Sequence, residues 1–532
     1  MKIKTQFSHT NLCWRSNLRR VGSMEVKMKE IFLRPGTPDD DNRDYLPEKI
    51  KGSDIVVNEN GNNSLPYPKN LKEFHGVIAD DLEDEWYVYV PDSYDPSKKA
   101  PLILSMHGGM MTGWGQAIYT SWTLAADRDG FIVVFPNASD NRFWQVQWGI
   151  WEIDPEKHTP GSMEGEPQGV KACPEEVAEN HDIKLAMGLI DLMKKSYNID
   201  EGRIFMQGMS MGNMMTALFA RNFGNLLAGA AGSGAAAFLS LIYTKDEKII
   251  NKGGPLAIWQ SRPELNDIPA GRELEKKVHK YNRLYWMRIN ECELLPQITV
   301  HGENNMAFYK GRKADVVYLD IKNRDHGQTL DDATLVWDYL FSGIRREPDG
   351  TIVCTEPVKA RKGDDFAFAV VTGSAKVWFQ NRIQEMSGET INWKKWKYHG
   401  LEGGQKIRGE YHMVPLSFLA KAFHAELEYS MDKLAAKVKM PDGRALQFAR
   451  GSIGCIIDNS LTQMYCEALN RNEELFISAE WFSEYICNMH VSMCEEVLYV
   501  TDHANKLSAN MADLIKDLLF DNIVPDNYED ML

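Results

Sequence analysis

The chain has 532 residues, of which 43% are hydrophobic and 14 are tryptophans, and a formal net charge of −15. This composition excludes a disordered or fibrous protein, and the acidic balance argues against a nucleic-acid partner, which needs clustered Lys and Arg. The length predicts two or three domains, and no apolar run approaches the roughly 20 residues of a membrane span.

Residues 1–70 are polar and broken by Gly, Asn, Asp and Pro, as in RPGTPDDD at 34–41 and NENGNN at 58–63. They read as an extension with little core of its own. Its first ten residues carry charge without an apolar centre, so no secretory leader is recognisable and a cytoplasmic location is the default expectation. Short apolar strands are then predicted at 85–90, 101–106, 131–135, 204–206, 227–231, 255–259 and 315–321, with helical patterns between them, for instance at 182–195 and 330–342. Continuous apolar strands separated by helices predict a mostly parallel, doubly wound sheet covered on both faces, here over 71–345.

Beyond residues 343–350 the pattern becomes strand-rich and repeats itself. GSAKVWFQN at 373–381 matches GSIGCIIDN at 451–459, and VPLSFLAKAF at 414–423 parallels ISAEWFSEYI at 477–486. Each copy is followed by an alternating strand pair, ending at 436–438 and 498–500. A smaller, duplicated α+β domain is therefore expected over 346–520. The eight cysteines, at 13, 173, 292, 354, 455, 466, 487 and 494, show neither Cys-x-x-Cys nor zinc-finger spacing. They read as small buried thiols, with disulfides in the tail as the alternative if the protein is exported. No metal and no cofactor is expected.

The chemistry centres on Gly208-Met209-Ser210-Met211-Gly212, which follows a strand and opens a helix. That arrangement is the nucleophile elbow of α/β-hydrolases, where a side chain two residues either side of the serine would collide with its neighbours. A serine hydroxyl needs a positioned base, and in this fold the order is Ser, acid, His. His326, just after the strand at 315–321, takes the place of the base. Asp267 is the favoured acid after the strand at 255–259, with Glu264 as its rival. The oxyanion hole calls for two backbone N–H groups. Met211 supplies one, and the His107-Gly108-Gly109 loop supplies the other, at Gly109 or alternatively Met110. Trp144, Trp148 and Trp151 form a substrate platform for a sugar or aromatic acyl group, or serve ordinary packing. The acidic, glycine-rich stretch at 152–179 reads as a surface loop or lid.

YVYVP at 87–91, PLILSMHGG at 101–109, AADRDGFIVVFP at 125–136, YNIDEGRI at 197–204 and GMSMG at 208–212 run in an order that resembles the polyhydroxybutyrate depolymerase and feruloyl/acetylxylan esterase family. The resemblance implies a secreted, metal-free serine esterase acting on small-molecule or polysaccharide esters, whether carbohydrate-linked, phenolic or polyester. The acid loop departs from the family pattern, reading Ser261-Arg262-Pro263-Glu264 where a His-Gly or Gly-Glu pair is usual. The tail is similar to the copper amine oxidase N-terminal-like domain through Gly373-Ser374, Asn381 and residues 414–420. This module is an accessory of exported bacterial proteins and holds no copper, which implies surface or protein association. Two other readings are open. One is a prolyl-oligopeptidase-like peptidase, for whose upstream gating domain residues 1–70 are too few. The other is a non-catalytic surface or scaffold protein with a vestigial hydrolase domain.

Overall fold

A computed structural model describes residues 65, 67–139, 142–153, 170–397 and 406–532. Most of the extension expected at 1–70, and most of the lid-like stretch at 152–179, lie outside the described residues. Among the described residues, the first part of the chain forms ten strands: β1 (Leu71–Gly76), β2 (Asp84–Tyr89), β3 (Ala100–Met106), β4 (Ile132–Pro136), β5 (Ile199–Met209), β6 (Gly229–Ser233), β7 (Ala257–Pro263), β8 (Gln297–His301), β9 (Asn304–Tyr309) and β10 (Val316–Ile321). Its helices are α1 (Gly113–Tyr119), α2 (Trp122–Asp129), α3 (His181–Ser196), α4 (Met211–Phe223), α5 (Leu239–Ile242), α6 (Arg272–Asn290) and α7 (Asp332–Tyr339).

The strands form one sheet in the order β1-β2-β4-β3-β5-β6-β7-β10-β9-β8. From β4 through β10 every neighbouring pair is parallel, while β1, β2, β9 and β8 are antiparallel to their neighbours. This is the α/β-hydrolase fold. Because helices cover both faces, the central strands are apolar along their whole length, and Leu102, Ile103 and Leu104 are completely buried.

Three strands go beyond the sequence reading. β1 and β8 are the two edge strands, where exposed positions dilute the apolar signal: along β8 only Ile298 and Val300 are buried. β9 is almost wholly buried but opens on two asparagines, which break its apolar run. His301 ends that far edge strand, its ring 5.0 Å from His503, and stands outside the catalytic arrangement. Strand β7 also runs to Pro263 rather than ending at 259, so the acid loop starts at Glu264.

The remaining chain, after a short hairpin of β11 (Ile344–Arg346) and β12 (Ile352–Cys354), is β-rich. β13 (Ala367–Val371), β14 (Lys376–Phe379) and β15 (Arg382–Glu385) join a sheet with β25 (His490–Cys494) and β26 (Val497–Thr501). A second sheet joins β18 (Glu426–Tyr429) and β19 (Ala435–Lys439) to β20 (Ala445–Ala449), β21 (Gly454–Ile457) and β22 (Ser460–Gln463). Between them lies the sheet β16-β17-β24-β23, of β16 (Ile391–Lys397), β17 (Lys406–Pro415), β23 (Leu469–Arg471) and β24 (Glu474–Ser478). Helices α8 (Leu416–Ala422) and α9 (Ala479–Trp481) follow β17 and β24, and α10 (Ala509–Leu519) comes last.

The same backbone bonds recur in the two sheets. Gly373 N–H donates to Thr390 O and Gly451 N–H to Ala468 O, both at 2.8 Å, and Met386 and Met464 donate to Ala375 and Ile453, again at 2.8 Å. Each three-stranded hairpin is completed by two strands from the other half of the module, so the halves interlock. The first of these sheets shares a core with the hydrolase. Ala369, Trp378 and Tyr499 pack in one cluster with Ile298 and Val300 of β8 and with Met511, Ile515 and Leu518 of α10. Beyond α10 the chain runs back over the hydrolase, where Tyr528 and Met531 pack with Tyr243, Val278 and Tyr285. The seven described cysteines are free thiols.

Candidate active site

Ser210 sits between β5 and α4 with φ 53° and ψ −117°, a conformation that L-residues seldom adopt. The turn is closed sterically. A Cβ on Gly208 would lie 2.0 Å from the Gly212 carbonyl oxygen, and one on Gly212 would lie 2.3 Å from the Met106 carbonyl oxygen. Backbone atoms cannot step aside as a side-chain tip can, so both positions require glycine. The Ser210 N–H donates to Ser233 O at 2.8 Å, tying the turn to the end of β6.

His326 lies in the loop after β10, with Nε2 2.9 Å from Ser210 Oγ. Its Nδ1 is buried without a hydrogen-bond partner. Gly234 backs the imidazole at φ +60°, where a Cβ would meet His326 Cε1 at 3.1 Å. Asn213 on α4 fixes that stretch by donating from Nδ2 to Ala235 O at 2.6 Å and Gly234 O at 3.2 Å.

Asp267 is buried behind the same stretch. Its Oδ1 accepts from Ala235 N–H at 3.0 Å and from Ile268 N–H at 2.8 Å. Its Oδ2 has no hydrogen bond; His279 Nε2 of α6 lies 3.3 Å away, within ion-pair reach but without hydrogen-bond alignment. Burial alone would raise the Asp267 carboxyl, but His279 and the two backbone N–H groups outweigh it and hold the carboxyl below its ordinary range. The structure thus brings Ser210 and His326 into contact and leaves two buried atoms unpartnered, His326 Nδ1 and Asp267 Oδ2.

Glu264, the rival acid, is engaged elsewhere. Its Oε1 accepts from Lys322 Nζ and from Ala509 N–H, each at 2.8 Å, and its Oε2 accepts from Asn323 N–H at 2.9 Å. Burial pushes its carboxyl up, but these donors win and the net shift is downward.

In the glycine loop after β3, Met110 N–H is already donated to Arg142 O at 3.0 Å, which favours Gly109 as the oxyanion donor. His107 sets the orientation. Ala138 N–H donates to its Nε2 at 3.0 Å, so Nδ1 carries the proton and donates to Gly108 O at 2.6 Å. A trans peptide points its N–H opposite its carbonyl, so anchoring the Gly108 carbonyl turns Gly109 N–H the other way. A Cβ on Gly109 would meet Met211 Sδ at 3.5 Å, so the Met211 side chain packs over the glycine loop. His107 is fully buried, and burial pushes its imidazole down to about 4, which keeps it neutral.

The tryptophans divide. Trp144 has no exposed surface, donates from Nε1 to His107 O at 2.7 Å and packs against the His107 ring; it is a packing residue and not a substrate platform. Trp148 and Trp151 are half-buried beside Phe238, with the Trp151 ring 3.9 Å from it. Asp182, at the start of α3, holds the segment before them by accepting from Ser139 N–H at 3.1 Å and Gln145 N–H at 2.7 Å. Sequence reasoning missed the supporting roles of His107, Asp182, Asn213 and His279. Only His107 and Asn213 carried a local signal, since both adjoin the two glycine motifs. One group with metal-ligand character stands apart from the site among the described residues. Glu73, His75 and Glu85 on the β1–β2 hairpin have their ligating atoms within 4.8 Å of one another, and His75 Nε2 pairs with Glu73 Oε1 at 2.8 Å.

No family model matches the chain. Over 259 residues it is 24% identical to a bifunctional acetylxylan esterase/xylanase of Neocallimastix patriciarum, a match covering 48% of this chain and 32% of that protein. Over 153 residues it is 29% identical to feruloyl esterase B of Neurospora crassa, covering 28% of this chain and 44% of that one. The chain therefore spans less than half the length of these curated relatives. A solved acetyl xylan esterase from Aspergillus awamori aligns with 50% of this chain and 98% of its own at 14% identity, with a TM-score of 0.36.

Proposed function

We propose that the chain is a serine carboxylic-ester hydrolase working through Ser210, His326 and Asp267. The observation that carries this reading is the 2.9 Å contact between His326 Nε2 and a serine held on a strained strand–helix turn. In the reaction, Ser210 Oγ attacks the ester carbonyl carbon while His326 Nε2 takes its proton. The carbonyl oxygen becomes an oxyanion, stabilised by the N–H groups of Met211 and Gly109. Collapse breaks the bond to the alcohol oxygen, which receives the proton from His326. Water then attacks the acyl-enzyme, giving its proton to His326, and Ser210 leaves with that proton as the acid departs. Asp267 stabilises the imidazolium by accepting from Nδ1–H, which supplies the missing partner for both unpartnered atoms.

The esterase relatives favour acetyl or phenolic esters of carbohydrate as substrates, ahead of polyesters. Trp148 and Trp151 remain our choice for stacking on such a group. The likeness of the tail to copper amine oxidase N-terminal-like modules, and an exported location, are likewise our reading of its motifs. A p-nitrophenyl acetate assay tests the central step: the wild type releases nitrophenol far faster than Ser210→Ala, and equal rates would refute the reading. Feruloyl, acetyl-xylan and hydroxybutyrate esters run side by side then rank the acyl groups.

A further inference from the structure

The loops bearing the acid and the base are both gripped by the C-terminal module, at helix α10. Glu264 stands three residues before Asp267, and Asn323 three residues before His326. A single carboxylate joins them. Glu264 Oε2 takes the Asn323 N–H, and Oε1 takes Lys322 Nζ together with the N–H of Ala509, the first residue of α10. The Glu264 N–H also donates to Ile321 O at 3.2 Å, continuing the β7–β10 ladder into the site.

The second grip runs along α6, which carries His279 against Asp267. Its cations face the acids of α10. Arg272 pairs with Asp513 and donates to Asn510 Oδ1 at 3.1 Å and Ala509 O at 2.9 Å. Lys276 lies 3.1 Å from Asp513, and Lys280 and Arg283 lie 3.2 and 3.4 Å from Asp517. Arg283 and Asp517 are almost fully buried. An isolated exposed ion pair contributes little, but this is a partly buried ladder whose members constrain one another.

We infer that helix α10 of the C-terminal module is a positioning element of the hydrolase site, acting through Glu264 on both catalytic loops and through α6 and His279 on Asp267. The inference rests on the Ser210–His326–Asp267 reading. Glu264 touches no reacting atom in it. Its carboxylate fixes the spacing of the two loops, and misplacement of a catalytic group by about 1 Å costs on the order of 10²-fold in rate.

The test uses the intact chain, because the module and the hydrolase share a core. Glu264→Gln is compared with wild type on p-nitrophenyl acetate, with Lys439→Ala, in an exposed pair with Glu426, as the control. The expected result is a kcat about 10- to 100-fold lower with KM changed less than about threefold, and no change in the control. Glu264→Asp, which keeps the carboxylate, recovers part of the kcat lost in Glu264→Gln. Rates are expressed per chain labelled by an alkyl fluorophosphonate, so a mere loss of folded protein would lower the labelled fraction and not kcat. Asp513→Asn provides the second variant if Glu264→Gln fails to fold, with the same expected direction. A kcat within twofold of wild type, in whichever variant folds, overturns the inference. Equal activity of Ser210→Ala and wild type would instead overturn the esterase reading, so the two failures are distinguishable.

Discussion

Ser210 is held sterically by close-packed backbone, whereas Asp267 and the His326 loop are held by hydrogen bonds and charges drawn from several segments of the chain. The nucleophile turn closes on Gly208 and Gly212, each pressed against backbone where a methyl group would not fit. The acid and base loops depend on Glu264, on His279 of α6 and on Ala509 of α10. The first kind of support is steric, confined to one turn and the backbone packed on it, so it tolerates no substitution at either glycine. The second is electrostatic and distributed, so it degrades by degrees and draws the C-terminal module into the catalytic domain.

The largest effects are expected at the proposed reacting residues themselves and at the steric turn. Ser210→Ala should lower kcat/KM on a p-nitrophenyl ester by about 10⁵-fold or to background, and Asp267→Asn by about 10⁴-fold, each measured by initial rates. Gly212→Ala should unfold or distort the turn, costing about 3 kcal/mol in urea denaturation, because its Cβ would face the carbonyl oxygens of Met106 and His107. Trp144→Ala should also cost about 3 kcal/mol by cavity formation, without a specific change in KM.

His107 makes the comparison pH-dependent. Its imidazole, pushed from an ordinary 6.5 to about 4 by burial, stays neutral while the unfolded chain takes up a proton. The folded pKa is therefore depressed for a base, and stability falls as pH drops from about 6.5 to about 4, by roughly 3 kcal/mol. Urea midpoints at pH 7, 5.5 and 4.5 should show this slope, and His107→Gln should flatten it. Asp267 and Glu264, both held low, contribute stability at neutral pH that is lost only further down, as pH falls below the ordinary carboxylate range. The smallest effect is expected at Trp151, where Ala should raise KM for a feruloyl ester severalfold with kcat nearly constant, on the order of 1 kcal/mol.

The division between local and distributed support also explains what was legible beforehand. The elbow, the central strands and His326 could be read from sequence because each has a short-range signature: glycine spacing, a continuous apolar run, or a position just past a strand. The β8–β9 hairpin could not, since edge strand β8 alternates buried and exposed residues and β9 opens on Asn304 and Asn305, which break its apolar run. Trp144 cannot be told from a platform residue in the sequence, because its burial is set by tertiary packing against His107 and not by its neighbours in the chain. Glu264 and Asp267 were both carboxylates near one strand end, and only the donors around them, from three separate segments, tell them apart. The role inferred for α10 rests wholly on contacts that no spacing encodes.

The central claim is that Ser210 is a nucleophile activated by His326. Reaction with an alkyl fluorophosphonate, followed by intact mass and peptide mapping, tests it most directly. The account predicts one adduct per chain on Ser210, lost in Ser210→Ala and much slowed in His326→Ala, with esterase activity falling in step. An adduct on another residue, or ester hydrolysis that survives full modification of Ser210, would contradict it.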